Sequence, residues 1–338
     1  MKTYIYILFA FICCTTTAQE TLKWSGSRPD GHAPISIMGD HTHGKGEFMV
    51  SYRSMYMNME GLNRGSKNVP FTNALPPNDQ YMVTPTQMQM TMHMLGVMYA
   101  PSDKITLMTM VNYIAQDMDH LTAMGGNFNT TSSGISDLKI GALYKIFNYK
   151  RQQLHAQIGI SIPTGSIEQK GITPASAPNA MFLPYPMQNG SGTWDPELAL
   201  TYLKQWNSIS IGSQAKTTLR LQQNKLDYQL GNTYTWNNWV AVQASPWLSI
   251  SGRFTMRALG KIKGNNPNLN PMMVITADTN NSGKTYAEAG IGCNLYTAKG
   301  KLKNLRFGFE AGLPLFQNMN GIQLNNKELI IAGVQYAF

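Results

Sequence analysis

Apolar and polar residues alternate through most of the chain, and the pattern is clearest in the final segment, 327–338. Counting back from Phe338, every second position is apolar or aromatic: Tyr336, Val334, Ala332 and Ile330. A period of two over a dozen residues predicts a β-strand with one apolar face. A terminal edge strand of a soluble sheet is one interpretation. The other is a strand whose apolar face meets lipid.

The same alternation recurs along the chain and predicts twelve strands. They lie at 46–60, 86–100, 104–118, 136–147, 153–163, 196–205, 208–222, 231–245, 247–259, 284–296, 304–314 and 327–338. Connections after even-numbered strands are short, whereas most of those after odd-numbered strands are long and polar. We therefore predict an all-β fold, a transmembrane antiparallel up-and-down β-barrel of about twelve strands with short periplasmic turns and long extracellular loops. A soluble β-sandwich also alternates, but its strands are shorter.

Composition agrees with a barrel that crosses a membrane. Only 13% of residues are charged, and no apolar run reaches the roughly 20 residues that a membrane-spanning helix needs. In a barrel only alternate residues face lipid, so the average stays polar. The formal charge of +9 is spread along the chain, so we expect outer-membrane lipid and no nucleic acid as a partner. The last strand, ending at Phe338, also resembles the carboxy-terminal signal that barrel-assembly machinery recognises.

Residues 1–18 predict a cleavable signal peptide. An apolar stretch too short to span a membrane leads to small residues before a cleavage point after Ala18. A lipoprotein signal through Cys13 or Cys14 is the weaker alternative. Removal of the signal leaves Cys293 as the one cysteine, which excludes an internal disulfide.

The rest of the chain divides into an arm and a barrel. Residues 19–45 are polar and interrupted by glycine and proline, so they predict an irregular amino-terminal periplasmic arm. Whether this arm plugs the lumen is left open. Residues 46–338 form the predicted outer-membrane barrel, and the predicted location is the outer membrane of a Gram-negative bacterium.

Methionine is concentrated near the start of the barrel, because fifteen of the 22 methionines lie between residues 38 and 124. Methionine is not a favoured strand former, so three consecutive methionine-rich strands need a reason. In these strands one set of alternate positions is predicted to face lipid, and most of the methionines fall on the other set, which faces the lumen. These predicted lumen residues include Met55, Met57, Met90, Met92, Met108 and Met110. The pattern predicts one wall of the lumen lined by thioethers.

Two short segments add imidazole and carboxylate groups to this wall. They contribute Met38, Asp40, His41 and His43 in the arm, and Met118 and His120 at the far end of the third strand. Thioether sulfur favours Cu(I) or Ag(I), and imidazole suits copper. One hypothesis is therefore a path for soft metal ions, with copper or silver as cargo and no resident cofactor. The alternative is that flexible, polarizable methionine lines an irregular lumen or a route for apolar solutes.

A second group of inward positions is charged. It comprises Arg53, Lys216, Arg220, Arg253, Arg257 and Arg306, together with Glu288 and Glu310. The excess of cations predicts a partly basic lumen that favours anions. The alternative is that these charges pair across the lumen and block it. Oligomeric state stays open.

The histidines argue against an enzyme. Catalysis of the kind performed by a barrel phospholipase needs a histidine followed two residues later by serine on one strand face. None of the six histidines has this neighbour, and the chain contains no Gly-Xaa-Ser-Xaa-Gly elbow or phosphate loop. We therefore expect a channel or transporter for small solutes. The alternatives are a Met/His-lined barrel for soft metal ions and a non-transporting structural or adhesion barrel.

Several blocks of the chain also resemble a known family. They are MGDHTHGKGEFMVSYRSMYMNMEG, TPTQMQMTMHMLGVMYAPSDKITLM, SSGISDLKIGALYK, GISIPTGSI, LPYPMQNGSGTWD and AGLPLFQNMNG with the closing VQYAF. From about residue 38 to 338 the chain resembles an outer-membrane, transporter-like family linked by name to the MetA pathway of phenol degradation. The resemblance implies a barrel and transport of aromatic or other small hydrophobic solutes. Met/His-rich entry segments in the family suggest a metal link, and no catalytic residue is implied.

Overall fold

The computed structural model describes residues 23–338 and confirms a closed, antiparallel, twelve-stranded barrel. The strands are β1 (Phe48–Arg64), β2 (Val83–Ser102), β3 (Ile105–Thr122), β4 (Leu138–Tyr149), β5 (Gln152–Ile162), β6 (Asp195–Gln205), β7 (Ile209–Thr218), β8 (Thr233–Ser245), β9 (Leu248–Leu259), β10 (Lys284–Tyr296), β11 (Leu305–Met319) and β12 (Ile322–Ala337). Strands β1 and β12 close the sheet, with Val50 opposite Tyr336. The predicted signal peptide, 1–18, lies outside the described residues.

Alternation along each strand separates an apolar outer surface from a mostly polar interior. On β1 the outward Val50 and Tyr52 are each 40% exposed, whereas the inward Ser51 and Arg53 are buried. Outward aromatic and aliphatic residues recur on the other strands. A contiguous exposed apolar band is costly in water and is the surface that lipid covers.

Short turns and long loops lie on opposite rims of the barrel. The segments 103–104, 150–151, 206–208, 246–247 and 297–304 form one end, which we name the short-turn rim. The segments 65–82, 123–137, 163–194, 219–232 and 260–283 lie at the other end, the long-loop rim. In the two-residue turn before β5, Lys150 and Arg151 both take positive φ, as a hairpin that follows the strand twist requires.

The last hairpin differs from its prediction. We predicted strands ending at 314 and starting at 327, but β11 continues to Met319 and β12 begins at Ile322, with a turn at Gly321. Polar residues on both faces break the alternation there. They are tolerated because these strand ends extend past the apolar band, where neither face needs to meet lipid.

The long-loop rim carries further short elements. Residues Asn127–Ile135 form a strand that pairs with the half of β3 nearer the long-loop rim, while β4 pairs with the half nearer the short-turn rim. Two-residue and three-residue strands lie at Lys67–Val69, Lys170–Gly171, Met181–Phe182, Tyr228–Gln229 and Lys263–Gly264. Short 3-10 helices lie at Phe71–Ala74, Tyr185–Met187, Ile275–Ala277 and Thr279–Asn281. Among residues 23–338, no helix is long and apolar enough to cross a membrane.

Candidate functional site

The described part of the amino-terminal arm, residues 23–45, lies inside the short-turn half of the barrel. Barrel side chains donate hydrogen bonds to its backbone carbonyls: Ser210 to Asp30 at 2.6 Å, Ser249 to Pro29 at 2.8 Å, Arg306 to Pro29 at 3.0 Å and Gln214 to Met38 at 3.0 Å. The backbone N–H of Ser36 donates in turn to Glu310 Oε2 at 3.1 Å. The arm has no regular structure of its own, so inward barrel side chains satisfy its polar backbone.

Two apolar contacts add to this polar anchoring. Trp24, Ala33 and Ile37 of the arm pack with Leu203 and Trp239 of the barrel in one buried cluster. Ile35 also lies directly over Gly308, where an added Cβ would meet the Ile35 Cβ at 2.9 Å. Glycine at 308 therefore leaves the space that the arm occupies.

Loops close the opposite end with an apolar core, which we name the cap. Buried loop residues Ala74, Tyr81, Leu183, Met187 and Ile275 pack on strand residues of the long-loop half. Backbone carbonyls of the central loop are held from the barrel side, because Ser132 Oγ donates to Met187 at 2.7 Å and Gln116 donates to Pro186 at 2.8 Å. Loops that the sequence showed only as polar connections thus bury an apolar surface of their own.

Between the arm and the cap lies a cavity of about 450 Å³, the central cavity. One wall comes from β1, β2 and β3 and is lined by thioethers, as the alternation indicates. With the arm's own methionine the lining set is Met38, Met55, Met57, Met90, Met92, Met94 and Met110. Methionine side chains are flexible, so this wall can change its shape.

The facing wall of the central cavity is charged. Lys139 and Lys216 bind Glu197 at 2.8 and 2.9 Å, and Arg253 binds both Glu288 and Glu310. Arg220 pairs with Asp195, and Arg257 donates to the Tyr286 hydroxyl at 3.0 Å. The pairs join nearby strands rather than opposite sides of the lumen. Three of the six predicted basic residues, Lys216, Arg220 and Arg253, are therefore neutralised locally, which weakens the case for anion selectivity.

Two more cavities lie between the central cavity and the long-loop rim. An upper cavity of about 340 Å³ shares Arg220 and Thr233 with the central cavity and contains Met118. An outer pocket of about 350 Å³ opens among the loops of the long-loop rim. Its lining is almost entirely apolar and includes Met82, Met124, Phe128, Met181, Phe182 and Met273.

A thin barrier separates the outer pocket from the upper cavity. Leu183 and Pro184 line the outer pocket, whereas the next two residues, Tyr185 and Pro186, line the upper cavity. The barrier is thus one segment of the cap. The three cavities lie in series from the long-loop rim to the arm. The cap and the arm close the two ends of the lumen.

The residues predicted to bind soft metal ions do not form one site. Met55, Met57, Met90, Met92 and Met110 share the central cavity. Met108 packs nearer the short-turn rim, against Met49, Met98 and Leu143. Met118 lies in the core of the cap, and the buried His120 ring stacks on Phe128 at 4.6 Å in the outer pocket.

The predicted residues of the arm also separate. Met38 faces the central cavity, where its sulfur accepts a contact from Arg53, whereas Asp40, His41 and His43 gather toward the short-turn rim. Of the predicted lumen charges, Arg306 and Glu310 hold the arm rather than line the central cavity. We did not single out Lys139, Asp195 or Glu197, although each lies on the inward phase of its strand; the available signal was that phase.

Comparisons with known proteins support the fold. No family model and no curated protein sequence matches the chain. Among solved structures, an outer membrane channel from Pseudomonas putida F1 is similar with a TM-score of 0.59 and 13% identity, covering 90% of this chain and 100% of that chain. The Pseudomonas putida toluene transporter TodX gives a TM-score of 0.44 and 10% identity over 87% of this chain and 90% of its own. A Pseudomonas aeruginosa FadL homologue gives 0.41 and 11% over 94% and 98%. The first match shows that the chain has the fold of an outer-membrane channel barrel.

Proposed function

We propose that this chain is an outer-membrane channel for small hydrophobic or aromatic compounds, with the short-turn rim in the periplasm. The observation that supports the proposal most directly is the apolar outer pocket on the long-loop rim. Small-molecule sites are concave, mostly apolar and about 300–1,000 Å³ in volume, and the outer pocket of about 350 Å³ fits that description. A channel role also agrees with the Pseudomonas putida F1 structure of the same fold.

The outer pocket suits an apolar solute because its wall offers few polar partners. Burial of apolar surface contributes about 25 cal/mol per Å², whereas a polar solute would lose hydrogen bonds to water without replacement. From there the route continues past Tyr185 to the upper cavity and then along the thioether wall. Passage requires the cap segment and the arm to move, because both close the lumen in this structure.

Transport of soft metal ions is a second candidate. The observation that favours it is the set of thioethers around the central cavity, with Met55 and Met57 on one strand facing Met90 and Met92 on the next. Competition with a Cu(I) chelator tests it on the purified barrel. The comparison is between wild type and a variant with Met55, Met57, Met90, Met92, Met108 and Met110 replaced by leucine. Cu(I) or Ag(I) binding that is lost in the variant would favour this candidate, and negligible binding to both proteins would exclude it.

Uptake of a radiolabelled monoaromatic hydrocarbon by cells that display the barrel tests the main proposal. Thr130 lines the outer pocket and is 6% exposed, so Thr130→Trp fills it. The matched control is Thr109→Trp, which adds the same ring to the outward face of β3. We expect faster uptake with wild type and the control, and a rate near that of barrel-free cells with Thr130→Trp. Equal uptake with and without the barrel would contradict transport and favour a non-transporting structural or adhesion barrel.

A further inference from the structure

Three histidines of the arm converge beside one carboxylate at the short-turn end of the lumen. His41 Nδ1 lies 2.8 Å from Asp40 Oδ1, and His32 Nδ1 lies 3.8 Å from Asp40 Oδ2. The ring centroids of His32 and His41 are 4.0 Å apart, and those of His41 and His43 are 4.8 Å apart. One ligand atom from each of His32, Asp40 and His41 lies within 4.8 Å of the others. A tetrahedral ion with bonds of about 2.0–2.1 Å needs ligand atoms about 3.4 Å apart, so small side-chain rotations are enough.

Each histidine has a buried ring nitrogen without a hydrogen-bond partner. These atoms are His32 Nδ1, His41 Nε2 and His43 Nε2. His41 and His43 are only 5% and 6% exposed. A buried polar group without a partner is costly, and each such group in a native structure calls for an explanation. A bound cation would supply the missing partner to all three rings.

Carboxylates orient two of the three rings. Asp40 contacts Nδ1 of His41, and Glu47 Oε2 lies 3.3 Å from Nδ1 of His43, so that in both rings Nε2 is left free. Metal-binding histidines commonly place their second nitrogen against a carboxylate, which fixes the tautomer and the ring orientation. Asp40 Oδ1 performs this function for His41, and its Oδ2 remains beside His32.

The surroundings provide access to the cluster. It borders a cavity of about 290 Å³, the arm pocket, which is also lined by Glu47, Lys145, Lys303 and Arg306. Arg306 is directed at the arm's backbone, because it donates to the carbonyls of Arg28 and Pro29, each at 3.0 Å. The carboxylates of Asp40 and Glu47 offset part of the positive charge of these side chains.

We propose that the arm contains a binding site for a borderline divalent cation of the Zn(II) or Ni(II) type, formed by the unpartnered ring nitrogens of His32, His41 and His43, with Asp40 orienting the His41 ring. Imidazole nitrogen suits such ions, whereas thioether sulfur selects softer ones. Met38 is not part of the site, because its sulfur contacts Arg53 and faces the central cavity. This site is separate from the proposed solute route and from the thioether wall. The ion would cross-link residues 32 and 43 and hold the arm folded in the lumen.

Zn(II) titration of the purified, chelator-stripped barrel against a chromophoric chelator tests the site. We expect one Zn(II) per chain in wild type. Loss of even an outer hydrogen-bond partner of a metal ligand costs about 10–100-fold in affinity, so the double variant His32→Gln, His41→Gln should bind at least about 100-fold more weakly. The control His93→Gln removes an exposed histidine that contacts Tyr52 on the outer surface and should bind like wild type. Equal affinity in the double variant and the control would overturn the proposal.

A spectroscopic measurement on wild type keeps the test independent of variant folding. X-ray absorption of the Zn(II)-loaded barrel should show nitrogen and oxygen ligands with imidazole scattering. Sulfur in the ligand shell would overturn the site and move the ion to the methionines. Hydrogen exchange of residues 23–45 should also slow when Zn(II) is bound, and an unchanged rate would contradict the role of the ion in holding the arm.

Discussion

The two ends of this barrel are closed in different physical ways. At the long-loop rim, the cap buries Leu183, Met187 and Ile275 in an apolar cluster. At the short-turn rim, directional hydrogen bonds from barrel side chains such as Ser210 and Ser249 hold the arm. An apolar contact is non-directional and can exchange one apolar partner for another, whereas the arm's buried carbonyls need a polar partner at all times.

This difference assigns separate tasks to the two ends. An apolar solute can enter the cap because it replaces contacts of the same kind. The arm can leave its place only when water or another polar group replaces its hydrogen bonds. For the proposed channel function, the cap would therefore select the solute and the arm would control its release at the short-turn rim. If the two ends are independent, a change at one end leaves the other unaltered.

The largest expected effect is at the ion cluster that supports the arm. Arg253→Met leaves Glu288 and Glu310 unpaired, and these residues are 7% and 1% exposed. Breaking a buried ion pair by removing one partner costs about 3–5 kcal/mol, and Glu310 also anchors Ser36 of the arm. Denaturant unfolding of the barrel in detergent should show this loss. Arg64→Met is the control, since the Arg64 side chain in its pair with Asp79 is 53% exposed; equal stability of the two variants would contradict the prediction.

A cavity in the cap should have the next largest effect. Ile275 is fully buried, and Ile→Ala at such a site costs about 2–5 kcal/mol. We expect Ile275→Ala to speed hydrogen exchange in residues 260–283 while exchange in the arm stays unchanged. Ile172→Ala, at a site that is 58% exposed, is the matched control. Faster exchange in the arm would show that the two ends are coupled rather than separate.

A single hydrogen bond to the arm should have a smaller effect. Ser210 Oγ donates to the Asp30 carbonyl at 2.6 Å, and a typical hydrogen bond contributes about 1 kcal/mol. Ser210→Ala should therefore speed exchange in the arm by a modest factor and leave the cap unchanged. Ser208→Ala, in the exposed turn before β7, should change neither. Faster hydrogen exchange in the cap alone would contradict the assignment of Ser210 to the arm.

The smallest expected effect is an alkaline weakening of the cap. Burial raises the pKa of Tyr228 to about 12, and its ring packs edge-on against Tyr185 at 4.9 Å. Because the folded pKa lies above the ordinary value of about 10, this stabilisation is complete below pH 10 and is lost as pH rises toward 12. Hydrogen exchange of the cap across this range measures the loss. In Tyr228→Phe the cap should lose less stability over the same pH range. The same pH profile in the variant and in wild type would contradict the assignment to Tyr228.

The sequence was sufficient to predict the barrel, because a period of two shows both where a strand lies and which of its side chains point outward. Met55, Met90 and Met110, which the apolar outward positions of β1, β2 and β3 predicted to face the lumen, line the central cavity. This holds even where polar residues turn outward on β2, since His93 there finds a hydrogen bond from Tyr52. The ends of β11 and β12 were missed because the alternation stops where the strands leave the apolar band.

Contacts outside regular structure were beyond the reach of pattern analysis. The arm has no period, so nothing in the sequence places His32 beside His41; the approach depends on a turn in which Ile37 N–H donates to the Pro34 carbonyl. The presence of three histidines in residues 32–43 was the available signal. The pairing of Lys139 with Glu197 likewise depends on the register between strands, which alternation alone does not define.

The most direct test of the assignment of solute entry to the apolar end is to locate a bound solute. Crystals of the barrel soaked in bromobenzene would reveal the bromine by anomalous diffraction. We predict a peak in the outer pocket, near Phe128 and Met181, with no competing peak in the polar arm pocket. A peak in the arm pocket, or bromine confined to the outer surface, would contradict entry through the cap.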